Sequence, residues 1–302
     1  MTILPALALI GVVLEAGSVC QAARCTTVPG SNALREYEIY VAAAEPAMAI
    51  RFASGELSWL PDDARREASA QLAAGKLIRR NISDAVLNRR IADQNGTVID
   101  WVGAIRIRRA SLAELRAVLE AYGRWASIYW PMIFECRAEQ TADSMYEVTL
   151  GLHNQFRFAS LLPQHYSFRV KALMSYSDGA RTGALELHAH LRSDEIRESD
   201  SGVPRRTDFL EPYHDHGIMW ALNSWWRARQ QGRDLYLEFE TVTLARSAQD
   251  FACKVGIIPV PRSIVSGAMD SIPAESLEIV LARTKVECER RASGPPVAAS
   301  GK

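Results

Sequence analysis

The sequence predicts an α+β fold: an antiparallel sheet of about seven strands and a long final helix, preceded by a helical extension. Three observations predict it. Between residues 97 and 246 apolar side chains recur at every second position in successive runs separated by turn residues, the period of half-buried strands. A single well-capped helix follows the first of these runs. After the last run, residues 247–291 return to apolar spacings of three and four.

The chain has 302 residues, enough for one large domain with an extension. Residues 1–23 resemble a secretory signal: an apolar stretch over 3–14, then Glu15, small residues, and Ala22 and Ala23 before Arg24. A periplasmic or secreted protein is the expectation, with a membrane anchor as the alternative, although Glu15 cuts the run short of the roughly 20 apolar residues a span needs. Residues 24–96 read as a helical extension, with amphipathic helices over 32–52 and 61–77. The second is entered through Trp59, Pro61, Asp62 and Asp63 and left near Gly75. Residues 81–95 are polar and without a period, and Asn95-Gly96 is a turn signal.

The main domain is placed at 97–291. In its first strand Ile99, Trp101, Ile105 and Ile107 alternate with Asp100, Ala104 and Arg106. Ser111 and Glu114 stand three apart ahead of a helix over 112–122, the spacing at which each side chain satisfies a free backbone donor of the other. Strands then follow over 132–139, 145–154, 165–176, 183–197, 217–229 and 235–246, with turns at Ser177-Asp178-Gly179 and Gln231-Gly232-Arg233; this spacing implies an antiparallel meander. Residues 247–291 are mostly helical, interrupted at Pro259, Pro261 and Pro273, with Leu277, Val280, Leu281 and Thr284 on one face. Residues 292–302 form a Gly, Pro, Ala and Ser tail expected to be disordered.

Lys plus Arg equals Asp plus Glu at 35 each, so no global positive field gathers nucleic acid, and no nucleic-acid partner is expected. Five cysteines include no C-x-x-C pair and no histidine at zinc-finger spacing, so no structural metal is expected. An oxidising compartment would permit a disulfide; free buried thiols are the alternative. With no phosphate loop, dinucleotide fingerprint or nucleophile elbow, no cofactor is expected.

Asp215-His216-Gly217, Trp220, Leu222-Asn223-Ser224 and Trp226-Arg227 together resemble the signature of an uncharacterised bacterial group in the START, polyketide cyclase and pollen allergen superfamily. In that signature a Tyr is usual where this chain has Trp225. Tyr236-Leu237-Glu238-Phe239-Glu240 and Leu244-Ala245-Arg246 are similar to the strand that follows it. Ser271-Ile272-Pro273-Ala274-Glu275-Ser276-Leu277 is similar to the opening of the group's last helix, with Ala274 in place of Arg. The likeness covers roughly residues 32–291. It implies a helix-grip fold, a curved antiparallel sheet wrapped around the C-terminal helix, and a capacity to hold an apolar molecule.

Alternation then assigns faces. Ile218, Trp220, Leu222, Ser224 and Trp226 point one way, and are expected to line the concave face with Tyr166, Phe168, Val170, Met174, Leu185, Leu187, Leu191, Leu235, Leu237 and Phe239. These residues either surround a pocket or fill a core, each buried aromatic contributing about 1.5–3 kcal/mol. Asn223, Trp225, Arg227, Glu238 and Glu240 fall on the other face, where Arg227 opposite Glu238 reads as a cross-strand ion pair. His188 and His190 share a face and read as solvated beside Glu186 and Arg192 rather than as metal ligands. Asp215 and His216, at the mouth of a strand, are the candidates for acid–base work; they either cap the turn or point into the pocket.

The expected function is non-catalytic binding or transport of a hydrophobic small molecule or lipid in the cell envelope, with transient membrane contact left open. A cyclase- or aromatase-like enzyme acting on an enclosed substrate is the first alternative. The second is an envelope interaction module with a filled core.

Overall fold

A computed structural model describes residues 28–92, 95–158, 162–181, 183–201, 207–247, 254–255, 258–259 and 262–294. The expected leader and most of the expected tail lie outside them. The extension comprises α1 (Ala33–Ser54), α2 (Asp62–Ala73), β1 (Ile78–Asn81) and α3 (Ala85–Ala92). Then come β2 (Gly96–Ile107), α4 (Leu112–Leu119), α5 (Tyr122–Ile128), β3 (Ile133–Ala142), β4 (Met145–Phe158), β5 (Leu162–Arg181) and β6 (Ala184–Glu198). The chain continues with β7 (Ala221–Gln231), β8 (Asp234–Arg246), the short β9 (Lys254–Val255) and β10 (Ile258–Pro259), and α6 (Arg262–Ala292).

The main sheet has eight strands in the order β1-β2-β8-β7-β6-β5-β4-β3. All its neighbours are antiparallel. The extra strand over the expected seven is β1, which pairs Ile78 with Ala104 and Asn81 with Trp101; the extension therefore supplies an edge of the sheet. The polar stretch without a readable period, 81–95, contains α3, anchored where the Asn88 side chain bonds both the N–H and the C=O of Val98, at 2.7 and 2.6 Å.

The expected capping box is present: the Ser111 hydroxyl accepts from the Glu114 N–H, and the Glu114 carboxylate accepts from the Ser111 N–H at 2.6 Å. The helix it opens ends early, at Leu119, and a second short helix, α5, carries Trp125 under the sheet's edge strands.

The inner face of the sheet and α6 enclose the main core. Alternation holds along β5, where Phe168, Val170, Ala172, Met174 and Tyr176 all face inward. On β6 it changes phase. A bulge places Glu195 opposite Lys171 but Ser193 opposite Ala172, so Leu187, Ala189 and Leu191 are inward before it and Ile196 after it.

The helix is seated on the sheet at Gly103 of β2. A side chain there would stand 2.5 Å from Leu277 Cδ2 and 3.0 Å from Leu281 Cδ1, so only glycine permits this approach. Pro273, expected to interrupt the helix, lies within α6. It removes one backbone donor without ending the helix, and the turns that follow it pack on the core through Ala274, Leu277 and Leu281.

Candidate functional site

The site is a cavity of about 100 Å³ between the sheet and α6. Its floor is built from three cross-strand pairs of β7 and β8: Leu222 with Thr243, Ser224 with Thr241, and Trp226 with Phe239. The Ser224 hydroxyl donates to Thr241 Oγ1 at 3.2 Å, and the Trp226 and Phe239 rings lie 4.7 Å apart, centroid to centroid. Leu150, Leu152, Phe168 and Leu191 form the side wall, Trp125 and Tyr129 close one edge, and Ile272, Pro273, Ser276, Leu277 and Val280 of α6 form the roof. The space opens where the floor steps down from two aromatic rings to hydroxyl residues too small to reach the helix.

The wall is apolar with a few neutral polar groups. Ser276 Oγ donates to Asn154 Oδ1 at 3.2 Å, and Tyr129 Oη and Thr284 Oγ1 share a hydrogen bond of 3.0 Å. Tyr129 is the one ionisable group among the described lining residues, and burial holds its phenol well above its ordinary value.

The residues expected to line this face divide into three groups. Phe168, Leu222, Ser224, Trp226 and Phe239 are at the wall, as are Leu191 and Ile218. Val170, Met174, Leu187, Leu235 and Leu237 are buried in the filled part of the same core, with Tyr166 packed against it. Trp220 and Leu185 do not belong there.

Trp220 is on the opposite side of the sheet, in a cluster with Tyr37, Tyr40 and Trp225. The strand does not begin at residue 217: Gly217 has a left-handed backbone, φ +74°, and pairing with β8 begins only at Ala221, so the alternation cannot be extended back to Trp220. Leu185 is at the tip of the β5–β6 hairpin and is 61% exposed.

Asp215 and His216 cap a turn. Asp215 Oδ1 accepts from the Gly217 N–H at 2.8 Å and from the Trp220 indole at 3.0 Å. Burial, with Glu198 nearby, pushes its carboxyl up to about 6. His216 Nδ1 is 3.0 Å from Glu198 Oε1, and neither Asp215 nor His216 is at the cavity wall.

The outer face, expected to leave His188 and His190 solvated, is covered by α1. Arg51 holds Glu240 at 2.7 and 2.8 Å, the Tyr40 hydroxyl donates to Asp100 at 3.0 Å, and the Trp225 indole donates to Glu45 at 3.3 Å. Arg227 and Glu238 are opposite in register, as expected, but are not an ion pair. The Glu238 carboxylate turns to the Trp59 indole at 2.9 Å and the Tyr236 hydroxyl at 2.8 Å, while Arg227 reaches Met48 Sδ at 3.4 Å. Burial raises the Asp100, Glu238 and Glu240 carboxyls and lowers the Arg227 guanidinium.

His188 and His190 are on this face and half-buried by the same cover. His188 meets the edge of Phe52 and is 3.3 Å from Glu186; His190 stacks on Trp225 at 4.6 Å and bonds Asn223 at 2.8 Å. Among the described residues no cluster of three or more His, Cys, Asp or Glu is placed to hold a metal ion. Cys136 and Cys288 are free, and burial pushes both thiols up to about 12; the other cysteines lie outside the described residues.

No protein-family model matches the chain, and no curated protein matches it significantly in sequence. It is similar to solved structures at low identity. One is the Zhui aromatase/cyclase from Streptomyces sp. R1128, with 12% identity over 68% of this chain and 99% of that one, TM-score 0.40. Another is the STAR-related lipid transfer protein from Xanthomonas axonopodis, with 10% identity over 68% of this chain and 98% of that one, TM-score 0.35. Human STARD10 is similar at 9% identity over 76% of this chain and 80% of that one, TM-score 0.35. By the order of its own elements, strand, two short helices, six strands of the main sheet, the short β9–β10 pair and a final helix held against the sheet, the chain has the START-like helix-grip fold.

Proposed function

We propose that the protein binds a small hydrophobic molecule in the cavity under α6, without chemistry on it. The observation that carries this is the composition of the wall: apolar rings and branched chains, with the Tyr129, Ser224 and Ser276 hydroxyls already bonded to neighbouring side chains. Pockets for small molecules combine apolar lining with a few fixed polar groups in this way. The cyclase reading needs proton-moving groups converging on an enclosed substrate. Its sequence candidates, Asp215 and His216, are spent on the turn before β7.

The volume narrows the ligand. Drug-sized sites run to about 300–1,000 Å³, whereas an engineered apolar cavity of about 150 Å³ takes one benzene. At about 100 Å³ this cavity suits a single small ring or a short branched chain better than a two-chain lipid. Export to the cell envelope is part of the proposal and rests on the apolar leader alone; the N-terminal residue of the mature protein tests it.

Native mass spectrometry of the full-length protein, purified from its own host without detergent, tests the binding. A co-purifying small hydrophobic compound, released on denaturation and absent from the Ser224→Leu variant, is expected. The same compound on both proteins would place binding elsewhere and overturn the reading.

A further inference from the structure

Trp226 is 5% exposed and forms part of the cavity floor. Its indole N–H is buried, and nothing among the described residues accepts from it. The chain's other indoles differ. Those of Trp59, Trp125, Trp220 and Trp225 donate to Glu238, the Leu119 carbonyl, Asp215 and Glu45, at 2.9, 3.1, 3.0 and 3.3 Å. Trp101 donates to Asp270 at 3.2 Å, and Trp130 is 54% exposed.

Leaving a buried donor unpaired costs about 1–3 kcal/mol, and native proteins seldom tolerate it. Here the position has an apolar ring as its cross-strand partner, Phe239, and no acceptor among the described residues. The neighbouring hydroxyl of Ser224 donates to Thr241 and does not accept from the indole.

Resting on the binding function proposed above, we infer that the ligand carries an oxygen acceptor, a carbonyl or ether oxygen on a small apolar ring, which takes the Trp226 N–H. The apolar body fills the space between the floor and α6, and the single oxygen fixes its orientation. Selectivity follows from desolvation: a ligand without the acceptor leaves the indole unpaired in a site now closed to water.

Two probes of nearly equal shape test this: cyclopentanone, which has the acceptor, and methylenecyclopentane, which lacks it. Affinities are measured by NMR titration against the full-length wild type and Trp226→Phe. The variant is expected to weaken cyclopentanone by about two- to tenfold more than it weakens methylenecyclopentane, the range of one net hydrogen bond. The ratio cancels the extra void that the smaller ring leaves in both titrations.

A second readout uses the unaltered protein in case Trp226→Phe does not fold. In protein labelled at tryptophan nitrogen, one buried indole N–H resonance should move downfield on saturation with cyclopentanone and stay with methylenecyclopentane. Equal weakening of the two probes, or an indole resonance that ignores the ketone, overturns the inference while leaving the cavity as a binding site. Failure of both probes to bind the wild type overturns the cavity reading and this inference with it.

Discussion

Gly103→Ala tests how the sheet grips its helix. The added carbon would stand 2.5 Å from Leu277 Cδ2 and 3.0 Å from Leu281 Cδ1, whereas carbon atoms rest at about 3.5–4.0 Å. Relief requires α6 to withdraw by about 1 Å or both leucines to leave their rotamers. Overpacking of this kind costs about 1–3 kcal/mol. Leu277→Ala alone removes a fully buried side chain and should cost about 2–5 kcal/mol. Combined, the two changes should cost less than their sum, because the truncated Leu277 makes room for the new methyl; a coupling of about 0.5–3 kcal/mol is expected. Urea denaturation of the four proteins, compared at unchanged slope, measures each term. If Gly103→Ala costs less than about 0.5 kcal/mol, or the two losses simply add, α6 does not rest on the sheet at this point and the cavity geometry built on that contact is wrong.

Trp225→Ala and Trp226→Ala should each cost about 3–5 kcal/mol, since both rings are buried, one beneath α1 and the other beneath α6; a cheap Trp225→Ala in denaturation would mean that α1 does not cover the outer face. Glu240, raised to about 8 by burial and by Asp100, holds its proton more tightly when folded than the roughly 4.3 of a free Glu allows. Its contribution is therefore fully present on the acid side and is lost as pH rises to about 8, so the stability of wild type relative to Glu240→Gln should fall across that window; a flat difference contradicts the burial. The comparison with Gln matters because burial lowers His153, His188 and His190, which acts in the opposite sense. Asp215→Ala strands the Gly217 N–H and the Trp220 indole and should cost about 1–3 kcal/mol while leaving cyclopentanone affinity unchanged; a matching loss of affinity would bring the turn into the site.

Strand faces were legible wherever the pattern persisted over a long element. Phe168 to Tyr176 on β5 and Leu222 to Trp226 on β7 could be assigned from alternation alone, and the Ser111–Glu114 box marked its helix start. Trp220 was not legible, because residues 217–220 form bends rather than strand and pairing with β8 begins only at Ala221, which alternation in the sequence does not show. Leu185 shows a different limit: alternation does not show that the residue stands at an exposed hairpin tip. The four residues of β1 are too few to show a period. On the outer face Asn223, Arg227, Glu238 and Glu240 could be assigned to their side of the sheet but not to their partners, which for these residues, as for Asp100, are in α1 or its neighbouring loop. The signal for that cover was present as the stripe Tyr37, Tyr40, Met48 and Phe52 at helical spacings. What the pattern did not contain was the partner of the stripe.

Calorimetric titration of methylenecyclopentane into wild type and Ser224→Leu measures directly whether the space under α6 binds an apolar molecule. Ser224 sits at the centre of the floor, so a leucine there fills the space from below. Saturable one-to-one binding to the wild type with a negative heat-capacity change, lost in Ser224→Leu while the variant keeps its folding cooperativity, is the predicted result. No saturable heat with the wild type, or equal binding by the two proteins, would contradict it.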